Sequence, residues 1–197
     1  MVVRAVSDTV AAGGGTKLAI RDAALKLFGS KGFEQTSLRE VADAVGITKA
    51  SLYYHYASKL DLLVAIIDPI VDHMREVVDD LTAHTHDDAG IRAVLQHYLG
   101  GMIRHRDAGA LCVRDAVAII NVMADRYPDL MDSSKQLRAW LAGPDASDEA
   151  HLRACAALEI LGVALVSKEM VPGADDDLVA KTLLDSAICV LTAHAAA

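Results

Sequence analysis

The sequence predicts an all-α fold, with a small N-terminal helix-turn-helix domain followed by a larger helical domain. Three observations carry this expectation. Apolar residues recur at spacings of three and four along most of the 197 residues, the period of a helix with one buried face. Aromatic residues make up 4% of the chain against 53% hydrophobic residues overall, whereas strands favour aromatic and β-branched side chains. Glycine and proline gather between the periodic segments, at Gly109, Pro128, Gly143-Pro144 and Pro172-Gly173, where they would break helices.

The first helix is expected from Lys17 to Ser30, because Ile20, Ala23, Ala24, Leu27 and Phe28 form one stripe and Gly32 is placed to end it. Residues 1–16, with Gly13-Gly14-Gly15, are expected to be a flexible arm. They have no apolar core of the kind a secretory signal needs. Ser37 followed three residues later by Glu40 is a capping box for a second helix on the stripe Leu38, Val41, Ala42 and Val45, which Gly46 ends. Thr48 caps a short third helix, Lys49 to Tyr54, whose inward side chains are Ile47 and Leu52. Two short helices joined by a tight glycine turn form a helix-turn-helix.

A fourth helix opens at Lys59 and carries apolar residues through Leu81. At about 1.5 Å per residue it spans roughly 35 Å, and Pro69 is expected to kink it. Further helices are expected at about Ile91–His105, Leu111–Arg126, Leu130–Leu141, Glu149–Glu169 and Leu178–His194. The longest nearly apolar stretch, Leu152 to Val166, has 15 residues and includes Arg153 and Glu159, so no membrane span is expected. Cys112, Cys155 and Cys189 are far apart, which fits reduced, buried and inert thiols in a cytoplasmic protein.

The formal net charge of −8 is unevenly spread. Residues 1–59 hold eight Lys and Arg against five acids, a balance of +3, and the other 138 residues balance at −11. A cationic end on an acidic body presents one local footprint to nucleic acid. The second helix of a helix-turn-helix lies in the major groove. Lys49 and Ser51 are suited to base edges or phosphate, Tyr53, Tyr54 and His55 offer polar tips on rigid rings, and Lys59 would lie beside the DNA backbone. Thr48 is counted with them, and Arg39 in the first turn of the second helix reaches a base or a phosphate. Tyr56 is assigned to the core.

The runs Thr36-Ser37-Leu38-Arg39-Glu40-Val41-Ala42 and Gly46-Ile47-Thr48-Lys49-Ala50-Ser51-Leu52-Tyr53-Tyr54-His55-Tyr56, then Ser58-Lys59 and Leu62-Leu63, resemble the N-terminal signature of TetR-type transcriptional repressors. The resemblance covers about Ala19 to Leu63, with Tyr56 where the family usually has Phe. It implies that Ser51, Tyr53, His55 and Lys59 hold phosphates while Arg39, Lys49 and Tyr54 face bases. It also implies a DNA-binding domain over residues 17–58, and an effector-binding and dimerising domain over 59–197. The function it implies is a ligand-responsive regulator, binding a palindromic operator as a homodimer.

In the second domain Ile67, Ile70, Met74, Tyr98, Met102, Asn121, Met123 and Trp140 have the composition of a small-molecule pocket, and equally of a plain core. They point to a mainly apolar effector. The segment Leu152 to Val166 is apolar nearly all round, so a second face needs a partner. Leu158, Leu161, Leu165, Leu184, Ile188 and Leu191 are the expected dimer contacts. His97 and His105 are too far apart along one helix to share a metal, and His84 and His86 with Asp87-Asp88 lie in an expected exposed loop. No metal and no cofactor are expected. No hydrolase, zinc-protease or nucleotide-binding motif is present, so the chain is expected not to be an enzyme. The alternative is a helical enzyme or metal-dependent protein with a small N-terminal bundle.

Overall fold

The computed structural model describes residues 4–193, and the side chains of all of these except 4–14, 117, 118 and 121–123. Among the described residues there are helices and turns and no strand. The helices are α1 (Arg4–Lys31), α2 (Leu38–Val45), α3 (Lys49–His55), α4 (Lys59–Asp80), α5 (Asp88–Arg104), α6 (Arg106–Arg114), α7 (Ala116–Arg126), α8 (Leu130–Ala142), α9 (Asp148–Gly162), α10 (Ser167–Met170) and α11 (Asp176–Thr192). Single 3-10 turns follow α4 at Leu81–Ala83 and α9 at Val163–Val166.

The chain forms two compact units. The first holds the residues up to Asp68 together with Leu111–Ile120, and the second holds Pro69–Ala110 with the residues from Asn121 onward. The sequence placed the boundary at Lys59. The structure moves it into α4, and gives the end of α6 and the start of α7 to the first unit. Asp115 explains part of this, because its carboxylate accepts the Phe33 N–H at 3.3 Å. Arg114 donates to the carbonyls of Phe28 and Gly29 in the last turn of α1, where four helix carbonyls have no partner within the helix.

In the first unit α1 begins at Arg4, not at Lys17, and passes through Gly13-Gly14-Gly15. This replaces the expected arm. Extending a helix that already exists needs no new nucleation, so even three glycines, each about 1 kcal/mol worse than alanine, are carried along. Ile20, Ala24, Phe28, Phe33, Leu38, Val41, Leu52, Leu62, Leu63, Ile66 and Ile67 are buried. The Phe28 and Phe33 rings meet edge to face at 5.2 Å.

The second unit packs α9 against α8 and α11, and α11 against α5. Its core runs through Val77, Leu81, Leu95, Leu99, Met102, Leu137, Leu141, Leu158, Leu161 and Leu184. Helix α4 continues through Pro69. Gly109 breaks nothing: it lies inside α6, so the expected helix over 111–126 becomes parts of α6 and α7. Asp148–Met170, 23 residues across α9, the 3-10 turn and α10, has an 18-residue window of mean hydropathy 1.5. By length and composition alone this segment is long and apolar enough to cross a membrane. In the fold its Ala154, Ala157, Leu158, Leu161 and Ala164 belong to the core. Cys155 and Cys189 are exposed, contrary to expectation, and the half-buried Cys112 thiol is pushed up to about 11 by burial.

The capping box of α2 is present. Ser37 Oγ accepts the Glu40 N–H at 3.3 Å, and Glu40 accepts the Ser37 N–H at 2.9 Å. The Lys31 ammonium, 2.6 Å away, and then the Ser37 backbone hold the Glu40 carboxyl down at about 2. Ser37→Ala is expected to cost about 1 kcal/mol. Because the folded pKa of Glu40 lies below its ordinary 4.5, its contribution is complete above that pH and vanishes as pH falls toward 2. Urea unfolding should therefore show Glu40→Gln less stable than wild type at neutral pH, with the gap closing on acidification. A gap that ignores pH would assign the effect to something other than the carboxylate.

Candidate nucleic-acid interface

Helices α2 and α3 are joined by Gly46, Ile47 and Thr48. Gly46 has φ 77 and ψ 30, and its N–H caps α2 through the carbonyls of Ala42 and Asp43. A residue with a Cβ enters this left-handed region at a cost. Thr48 Oγ1 accepts the Ser51 N–H at 3.1 Å and starts α3. The threonine counted as a DNA contact is thus first a cap.

One side of α3 is fixed by Leu52, which is fully buried. The next core residue is Tyr56, also buried, whose hydroxyl donates to the Lys17 carbonyl at 3.2 Å. That gives the tyrosine hydroxyl a partner, and burial pushes its phenol up. The opposite side of α3 is open. Tyr54 is 87% exposed, Tyr53 is 45% exposed, and Lys49 is exposed with its ammonium 5.5 Å from the Tyr53 ring centre. His55 and Ser51 are half-buried, and the His55 ring meets Tyr54 edge to face at 5.3 Å. Arg39, with its side chain 82% exposed, stands on α2 and is only 3.9 Å from Asp43.

Lys59 differs from its expected role. Its ammonium donates to the carbonyls of Phe33 at 2.9 Å and Glu34 at 3.2 Å, and lies 4.4 Å from the Phe33 ring centre. Two of its three donors hold the loop before α2, so a phosphate has at most the third.

The other expected sites fall differently. Met102 is a core residue of the second unit, and Met74, Tyr98 and Trp140 pack partly buried against that core. Ile67 is buried in the first unit, and Ile70 is half-buried. The side chains of Asn121 and Met123 lie outside the described residues. Tyr98, whose phenol burial pushes up, shares the cluster with Met102 and Trp140. Of the expected dimer contacts, Leu158, Leu161 and Leu184 are buried within the chain, while Leu165, Ile188 and Leu191 are half-buried. Helical period identified these helices but not which of two apolar faces points inward.

Sequence reasoning also missed a cluster of histidines. His73, on α4, occupies a position of the apolar stripe between Ile70 and Val77 and is 3% exposed. It meets His97 of α5, ring centres 5.0 Å apart. A histidine in a stripe otherwise filled by aliphatic residues was the available signal. His86, by contrast, packs edge to face on Trp140 at 5.4 Å and its Nε2 lies 3.3 Å from the Leu141 carbonyl.

A rigid glycine turn, a short helix anchored by one buried leucine, and an outer face of lysine, arginine and tyrosines define a helix-turn-helix module of the nucleic-acid-binding kind. Residues 20–66 match the family of bacterial regulatory proteins described as the tetR family. The match covers the helix-turn-helix and its flanks within the first unit. It is 34% identical over 86 residues to the HTH-type transcriptional regulator AcrR of Shigella flexneri, covering 43% of this chain and 40% of that protein. It is 37% identical over 59 residues to IcaR of Staphylococcus aureus strain Newman, a negative regulator of the biofilm operon icaADBC, covering 30% of this chain and 32% of IcaR. Both matches thus span less than half of the relative. The fold extends further: KstR2, a ketosteroid transcriptional regulator of Mycobacterium tuberculosis, superposes with a TM-score of 0.69 at 18% identity, covering 89% of this chain and 92% of that one.

The geometry separates two lysines. Lys49→Ala is expected to leave thermal stability unchanged and relax base preference, costing about 1–3 kcal/mol against the preferred site. Lys59→Ala should lower the melting temperature and weaken binding to all sequences alike. Thermal unfolding and binding titrations at several salt concentrations check both. Equal stability of the two variants would show that the carbonyl contacts of Lys59 contribute nothing.

Proposed function

We propose that the protein is a ligand-responsive transcriptional repressor that binds a palindromic operator as a dimer and acts in the cytoplasm, where the DNA is. The observation that carries this reading is the outer face of α3 with Arg39 of α2, exposed and cationic on a chain whose remainder is acidic. A groove-reading helix needs such a face, and the local charge supplies the sequence-independent part of affinity. The enzyme alternative finds no support in the family match.

Dimer formation rests on the outer sides of α9 and α11. Leu152, Cys155, Ala156 and Val163 recur along one exposed face, and Leu178, Thr182 and Cys189 along another. Leu152 is 70% exposed, and Met170, Val171 and Leu178 exceed half. With Val163, Val179 and Leu183 these last three line an apolar hollow of about 310 Å³. A second copy of the chain covers this face in the proposed assembly, with two-fold symmetry. Leu161→Arg, which places a charge in the core, would instead unfold the unit. Leu152→Arg with Val163→Arg is expected to give a folded monomer with little operator affinity, read by sedimentation and DNA titration. A variant pair that remains dimeric and binds normally places the interface elsewhere.

For the effector, the proposed site is a cleft between α5 and α11. That cleft, of about 610 Å³, has Leu99, Ile103, Ala180 and Leu184 in its walls and Arg92, Gln96, Asp177, Lys181 and Asp185 as polar lining. Its size suits a small molecule with an apolar body and a polar end. An effector acts by binding the DNA-incompetent conformation more tightly than the competent one. A Cβ on Gly100 would meet nothing within 4 Å, so Gly100→Phe is expected to fill the cleft, leave operator affinity near wild type and abolish release by the effector. A variant released as readily as wild type would exclude this cleft.

A further inference from the structure

The histidine cluster of the second unit has a feature that a packed core does not explain. His73 is 3% exposed, its Nε2 lies 3.1 Å from the backbone carbonyl of His97, and its Nδ1 has no hydrogen-bond partner. A carbonyl only accepts, so Nε2 must carry the proton. In the neutral ring Nδ1 is then a bare lone pair. What it faces is another acceptor, the Glu76 carboxylate, 3.6 Å away. The buried lone pair and the more exposed carboxylate cannot satisfy one another; only a proton or another cation between them does so.

The surroundings hold that arrangement in place. His73 and Glu76 stand at i and i+3 on α4, so both side chains reach the same side of the helix. From α5, His97 brings a third donor, and one ligand atom from each of the three residues lies within 4.8 Å of the others. Gly101, one turn beyond His97, makes room for the ring: a Cβ there would be 1.8 Å from His73 Cδ2. The Asp80 carboxylate lies 3.8 Å from His97 Nδ1 and 3.2 Å from His84 Nε2. It adds negative charge beside the cluster and is placed to orient the His97 ring, as carboxylates beside metal-binding histidines do.

We propose that His73 Nδ1, Glu76 and one ring nitrogen of His97 bind a divalent first-row transition ion of the Zn²⁺ type, bridging α4 and α5. Two imidazoles and one carboxylate suit Zn²⁺ or its neighbours, and leave a coordination position for water or another ligand. Calcium and magnesium prefer all-oxygen sets. The donor spacing is within side-chain adjustment of tetrahedral coordination, and the carbonyl bond at Nε2 already selects the tautomer that ligation needs. This proposal departs from the expectation that the histidines hold no metal. That expectation compared spacings along single helices, whereas these ligands come from two.

The test uses the tag-free full chain titrated with Co²⁺, whose visible bands report coordination, and then with Zn²⁺ in competition. One equivalent per chain is expected, displaced by Zn²⁺ and removed by a chelator. Glu76 is mostly exposed, so Glu76→Gln should fold normally, as melting without metal will show, and weaken Co²⁺ binding at least about tenfold, by analogy with the loss of supporting groups around metals. His97→Gln is the second variant and should weaken it further. No one-equivalent site, or the same affinity in both variants as in wild type, overturns the proposal, since the other histidines would then account for any binding.

Discussion

The exposed face of α3 depends on one buried side chain. Helix α3 has seven residues, too few to be stable as a helix in water without tertiary support. Leu52, fully buried, supplies that support, and everything that α3 displays outward is displayed because Leu52 points inward. Gly46 and the Thr48 cap fix the direction in which the helix starts, and Tyr56 fixes where it stops through its bond to the Lys17 carbonyl. The exposed Lys49, Tyr53 and Tyr54 are therefore presented by a frame with few internal freedoms. Such preorganisation is what a groove-reading helix requires, since ordering it at the moment of binding would subtract from affinity.

The second unit is organised around the contacts of α5 and α9 with α11, and small residues set how closely its helices approach. Gly101 accepts the His73 ring against its backbone, and Gly109 does the same for the Leu165 side chain. Arg106 is buried and ion-paired to Asp176 at the start of α11, while its Nε donates to the Ile103 carbonyl at 3.1 Å. Polar groups inside this unit are held at helix ends, where backbone groups lack partners. The His73 Nδ1 stands apart from that rule, in the middle of a helix, and that is why it invites a ligand.

The N-terminal unit was legible because its signals are local. A serine cap with glutamate three residues on, a glycine turn and a threonine cap each act within four residues, and α2 and α3 appear where those signals put them. The start of α1 was not legible, because glycine composition reports the cost of a helix but not the gain from extending one already formed. In the second unit, periodicity found the helices and lost their faces: Leu161 and Leu152 both look like contacts in an apolar segment, yet one is buried in the chain and the other is 70% exposed. Residues meeting across helices were harder still. Nothing within a turn of His73 announces His97, 24 positions later, and nothing near Phe33 announces Asp115.

Lys59 links two segments that are distant in sequence. It is the first residue of α4, and its ammonium is bonded to Phe33 and Glu34, the loop residues just before the Ser37 cap of α2. A rotation or slide of the first turn of α4 would pull that ammonium, and with it the two carbonyls. The start of α2 would then shift along with the end of α3, so the two helices would move as a coupled pair instead of α3 swinging alone. In mechanical terms the lysine is a tie rod, and shortening it by one methylene would alter the set of α2 and α3 together without touching a residue of the exposed face of α3.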